Sequence, residues 1–145
     1  MLEVWGRKNA NQVIQVLWTL AELGLEYKRY SVGVSAGDLD TDEYKALNPN
    51  SKIPTIRDNG FVLWESHAII RYLAREYGLG TLYPTDSQQA ALSDQWMTWS
   101  TDSFMGTFFL SFGNLCGPRS LKGIMTRSLK WLKKALIFCA SLKAI

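Results

Sequence analysis

The chain has 145 residues, 47% of them hydrophobic and 20% charged, the composition of a globular protein with room for a sizeable core. Its longest uncharged run, residues 103–118, is broken by Ser, Gly and Asn and falls short of the roughly 20 apolar residues of a membrane span; the amino terminus, "MLEVWGRKN", lacks the apolar centre of a signal peptide, so a cytoplasmic protein is expected. The net charge of +3 hides an asymmetry: residues 1–102 carry all 13 acids and 9 of the 16 Lys and Arg, for −4, whereas residues 103–145 carry the other 7 and no acid, for +7.

In chain order, residues 2–5 form a short strand-like run closed by Gly6. From Val13, apolar residues at Val16, Leu17, Leu20 and Leu23 repeat at helical spacing and stop at Gly24, which suits a helix C-terminus. Residues 27–32 lean towards strand, and Thr41 is placed to cap a short helix through Leu47 ahead of the turn "NPN". A hairpin follows, residues 53–57 and 61–64 around Asp58-Asn59-Gly60, with Asn-Gly as the turn signal. Ile69, Ile70, Tyr72, Leu73 and Tyr77 then make an amphipathic helix from Ser66 to Gly78. The order βαβαββα predicts an α/β, thioredoxin-like domain with a mixed four-stranded sheet over residues 1–79. After a linker, residues 80–86, the pattern turns all-helical through residues 87–145, with one helix from Ser87 to Phe112 and a second from Leu121.

The segments "VLWTLAELGLEY", "YKALNPNSKIPTI", "FVLWESHAIIRYLAREYG" and "LYPTD", in that order, resemble the cytosolic glutathione transferases, most of all the bacterial branch with serine-type active-site loops. The resemblance covers residues 1 to about 102. It implies glutathione as co-substrate, a small electrophile as its partner and assembly as a homodimer, with no nucleic acid, membrane or metal involved. It further implies that the bond before Pro54 is cis and that the backbone of Ile53 pairs with the cysteinyl unit of glutathione. Glu65 and Ser66 then face the amine and carboxylate of the γ-glutamyl end at a helix N-terminus; Ser66 also suits a helix cap. Lys52 is either near the glycyl carboxylate or a solvated surface lysine. Arg7 and Lys8 either attract the anionic tripeptide or belong to a plain solvated loop. His67 is expected to be a spectator.

Catalysis in that family stabilises the glutathione thiolate, through a contact from the loop after the first strand. Here the loop reads "GRKNANQV", the family's serine position falls on Ala10, and no hydroxyl or thiol occurs between Gly6 and Val16. Donation is therefore expected from Asn9 or Asn11, or from backbone N–H groups near the helix start. Trp96, Trp99 and Ser103, three and four apart, either line the electrophile pocket or pack as core. Cys116 and Cys139 lack metal-ligand spacing. Beyond Phe112 the match loosens: Leu121, Met125, Leu129, Leu132, Leu136 and Cys139 keep helical spacing among basic residues, a pattern of membrane-surface or partner-binding helices. Truncation inside the all-helical domain is the expected cause. Two function classes stay open: a glutathione transferase conjugating or reducing small electrophiles, and a related fold kept for binding or assembly, or an inactive truncated product.

Overall fold

The computed structural model describes residues 1–35 and 38–105, and the chain divides into two compact units, Met1–Ala90 and Ala91–Ile145. The first holds β1 (Leu2–Trp5), α1 (Asn11–Glu22), β2 (Tyr27–Tyr30), α2 (Asp42–Leu47), β3 (Thr55–Asp58), β4 (Phe61–Trp64) and α3 (Ser66–Tyr77). The strands form one mixed sheet in the order β2-β1-β3-β4. β1 runs parallel to β2 with Val4 beside Arg29, and antiparallel to β3 with Val4 beside Ile56; β3 and β4 close the antiparallel hairpin. This is the mixed four-stranded arrangement that the element order predicts.

Alternation along β1 sorts the two faces of the sheet. Leu2 and Val4 meet Ile56, Val16 and Leu20 of α1, and Ile69 and Leu73 of α3, in a single core cluster. Six fully buried aliphatic side chains in that cluster remove enough apolar surface to hold both helices on one side. Glu3 and Trp5 point to the other face, where the Glu3 carboxylate accepts from the Tyr30 hydroxyl at 2.7 Å and from Arg57 Nε at 2.6 Å. Trp5 stacks on Tyr30 with centroids 4.9 Å apart, and the Arg57 guanidinium lies 5.3 Å from the Trp5 ring.

Local signals set the ends of these elements. α1 closes at Leu23-Gly24 with paired bonds from Gly24 N–H to the Ala21 carbonyl and from Leu25 N–H to the Leu20 carbonyl. The Thr41 hydroxyl caps α2 by accepting from Tyr44 N–H at 3.2 Å. The hairpin turns at Asn59 and Gly60, both at positive φ. β3 starts at Thr55, two residues later than the apolar run suggests, since Pro54 has no N–H for the ladder.

After α3, still within the first unit, Tyr83 is buried and bridges to Leu79, and Arg75 donates to its hydroxyl at 2.6 Å. Asp86 then caps α4 (Ser87–Trp99) by accepting from the N–H groups of Gln88 and Gln89. The α-helical part ends at Trp99 and continues as a π-helical turn, Ser100–Met105; the rest of the helix expected to reach Phe112 lies outside the described residues. The Ser100 hydroxyl donates to the Met97 carbonyl at 2.7 Å and the Thr101 hydroxyl to the Thr98 carbonyl at 3.0 Å. Two adjacent hydroxyls competing for the ladder's carbonyls account for the wider turn. The expected helix from Leu121, its basic apolar stripe, Cys116 and Cys139 lie outside the described residues.

Candidate active site

A cavity of about 400 Å³ opens in the first unit, lined by Gln12, Leu39, Asn48, Ser51, Lys52, Ile53, Pro54, Glu65 and Ser66. Four segments meet there: the first turn of α1, the approach to α2, the loop from α2 to β3, and the junction of β4 with α3. The Ile53-Pro54 bond is cis, as the resemblance implies. Ile53 precedes the first residue of β3, so its backbone N–H and C=O lie outside the sheet ladder.

The loop carrying Ile53 is held from below by a buried polar circuit. The Tyr44 hydroxyl donates to the Lys52 carbonyl at 2.6 Å, and Asn48 Nδ2 donates to the same carbonyl at 2.9 Å. Asn48 Nδ2 also donates to Thr55 Oγ1 at 3.1 Å, and Tyr44 and Thr55 share a bond at 3.0 Å. Because the Tyr44 proton is already on Lys52, the Thr55 hydroxyl is the donor in that last bond. Every polar hydrogen in the circuit then has an acceptor, the condition for burying such groups without penalty. Burial pushes the Tyr44 hydroxyl above the usual phenol range, so it stays a neutral donor.

At the opposite wall, Glu65 is the N-cap of α3 at φ 71 and ψ 113, with no side-chain cap bond. A glutamate at such a φ is held by its surroundings at a cost of order 1–3 kcal/mol, a kind of strain that clusters at functional sites. Ser66, the first residue inside the helix, is buried and faces the cavity. It is therefore not the capping residue that one reading of the sequence makes it.

The first loop divides differently from expectation. Ala10 is the N-cap of α1, in extended conformation and buried, with no side-chain cap bond. Asn9 and Asn11 are exposed and do not line the cavity, whereas Gln12 does. Arg7 donates from its guanidinium to the Gly33 carbonyl. Lys52, Ile53, Pro54, Glu65 and Ser66 are brought together as a group. Trp96, Trp99 and Ser103 lie in the second unit. Trp96 and Trp99 meet edge to face at 5.5 Å, Trp99 lies 5.6 Å from Phe104, and Ser103 sits in the π-helical turn. Gln12, Asn48 and Ser51 are cavity residues that sequence reasoning missed. For Asn48 the signal was present, since it belongs to the quoted "YKALNPNSKIPTI".

Comparison with known proteins bears on what this arrangement is. Residues 12–76 match the family model described as glutathione S-transferase, N-terminal domain. The crystal structure of the theta class glutathione S-transferase of Xanthomonas axonopodis pv. citri, with glutathione bound, is 40% identical; the match covers 92% of this chain and 68% of that one, with a TM-score of 0.78. The chain belongs to the glutathione S-transferase family. Glutathione S-transferase GstB of Escherichia coli K12 is 38% identical over 105 residues, which is 71% of this chain and 50% of that protein. Glutathione S-transferase D7 of Drosophila melanogaster is 38% identical over 109 residues. The chain spans about half the length of the curated relatives it matches. Within the transferase family match fall the cavity's polar groups, from Gln12 to Ser66. Among the described residues, no helix is long and apolar enough to cross a membrane.

Proposed function

We propose that the cavity binds glutathione and that the chain acts as a glutathione transferase, presenting the thiolate to small electrophiles for conjugation or reduction. The observation that carries this reading is the convergence of Glu65, Ser66, Ile53 and Lys52 on one cavity in a family with a glutathione-bound relative. Ser66, at the start of a 12-residue helix, takes the γ-glutamyl carboxylate, where helix N–H groups favour an anion. Glu65 takes the amine. Ile53 pairs with the cysteinyl backbone, and the Lys52 ammonium neutralises the glycyl carboxylate. Trp96, Trp99 and Ser103 contribute to the electrophile's pocket. A homodimer working in the cytoplasm belongs to the same reading.

The thiolate is the nucleophile, and an N–H donor at the start of α1 stabilises it in place of a hydroxyl. Such a donor lowers the barrier only to the extent that it favours thiolate over thiol. Calorimetric titration of the full chain with glutathione, followed by an assay with a generic aromatic halide, tests the proposal. Saturable binding with turnover supports it. Binding without turnover favours a binding module on the same fold, and no binding rejects both.

A further inference from the structure

We infer that Gln12 is the side chain that donates to the glutathione sulfur in this protein. The inference rests on the cavity being the glutathione site. Between Gly6 and Val16 the polar side chains are Arg7, Lys8, Asn9, Asn11, Gln12 and Gln15. Of these, Gln12 alone lines the cavity. The Arg7 guanidinium is turned to the Gly33 carbonyl, and Ala10, at the cap position, has no donor to offer.

The packing around Gly6 says which part of the cavity Gln12 enters. A Cβ on Gly6 would stand 2.6 Å from Val13 Cγ2 and 3.5 Å from Ile53 Cβ, so the first turn of α1 and the Ile53 corner close on each other at this glycine. Gln12 belongs to that same first turn, and it and Ile53 both line the cavity. With the γ-glutamyl end at Glu65-Ser66 and the cysteinyl backbone along Ile53, the sulfur falls on that side. A carboxamide suits the task in a specific way: it has two N–H donors and no proton to lose near neutral pH. It stabilises the thiolate without acting as its base. The S–H bond breaks, the electron pair stays on sulfur, and the proton goes to solvent.

The test is a pH titration of the ultraviolet thiolate absorbance of bound glutathione in the parent chain and in Gln12→Ala, Gln12→Glu, Asn9→Ala and Asn11→Ala, with calorimetric affinity measured for each. Gln12 is exposed on a helix, where alanine and glutamate are good helix formers, so both variants keep the fold. Gln12→Ala is expected to raise the bound thiol's pKa by about one unit, a tenfold loss of thiolate at fixed pH below it. Gln12→Glu, of the same shape but bringing a like charge, is expected to raise it further. Asn9→Ala and Asn11→Ala are expected to titrate with the parent. A Gln12→Ala complex that titrates with the parent, or a shift in an asparagine variant instead, overturns the inference while binding upholds the functional reading. Failure of the parent to bind glutathione overturns both.

Discussion

Ser66 and Ala10 each begin a helix, and each carries a different consequence. Ser66 lies inside α3 behind a glutamate cap that makes no side-chain bond, so its hydroxyl is not spent on the helix. Ser66→Ala is expected to leave thermal stability nearly unchanged and to weaken glutathione binding by roughly 1.5–3 kcal/mol, the range for a hydrogen bond to a charged group. Calorimetry reads the affinity; an unchanged value removes Ser66 from the site. Ala10 presents the converse case. Its backbone, φ −84 and ψ 131, already has the conformation of an N-cap, but its methyl group leaves the N–H groups of the first turn without a side-chain acceptor. Ala10→Ser is expected to raise stability by about 0.5–2 kcal/mol, seen as a higher urea midpoint at unchanged slope. A serine that caps α1 commits its lone pair to the helix but keeps its proton for an acceptor.

The loop from α2 to β3 owes its shape to α2 itself. Tyr44 in that short helix and Asn48 at its end both donate to the Lys52 carbonyl, and Thr55 at the start of β3 bonds the two of them, which leaves Lys52 and Ile53 turned to the cavity. Tyr44→Phe removes the donor to Lys52 and the acceptor of the Thr55 hydroxyl together. The cost expected is about 1–3 kcal/mol of folding stability, with weaker glutathione binding although Tyr44 does not line the cavity. Equal affinity in mutant and parent would show that the loop holds its shape without the circuit. The turn from β1 to α1 depends on close approach instead. Gly6→Ala drives a methyl group to within 2.6 Å of a fully buried Val13 side chain that has no flexible end to yield. A loss of about 1–3 kcal/mol is expected, measurable by urea unfolding.

Two buried carboxylates tie the first unit together, and their partners give stability opposite limits in pH. Glu3 joins three strands through Tyr30 and Arg57, and the Arg57 hydrogen bond, then that of Tyr30, holds its carboxyl below the ordinary value of 4.5. A depressed carboxyl contributes stability that is fully present above about pH 4.5 and is lost as pH falls through its folded value. Asp58, buried on β3, accepts from the hydroxyls of both Tyr72 and Tyr77 of α3. Burial first, then Asp58, pushes Tyr72 up to about 12; for Tyr77 the Asp58 bond leads and burial follows, also to about 12. Raised phenols contribute stability that is intact below about pH 10 and is lost as pH rises through about 12. Urea midpoints measured across pH are expected to fall at both ends. Glu3→Gln should flatten the acid limb, and Tyr72→Phe with Tyr77→Phe the alkaline one; limbs that keep their slopes in these variants would place the titrating groups elsewhere.

What the sequence determined by itself was whatever a few neighbouring residues decide. The end of α1 at Gly24, the cap at Thr41, the Asn59-Gly60 turn and the helical repeat of α3 are all short-range preferences, and each is where its signal put it. The grouping of Lys52, Ile53, Pro54, Glu65 and Ser66 was legible through the family pattern, because the two segments carrying them flank one hairpin. Only the tertiary structure decided the rest. Glu3 reads as the polar half of an alternating strand, and it is buried because Arg57, 54 residues away, arrives beside it when β1 pairs with β3. Asn9, Asn11 and Gln12 are alike in chemistry and adjacent in sequence, and a helix turns successive residues by about 100°. Which of them meets the cavity depends on how α1 is rotated. That rotation is set by Val13, Val16 and Leu20, which must bury the same face of the helix, and it leaves Gln12 on the cavity wall.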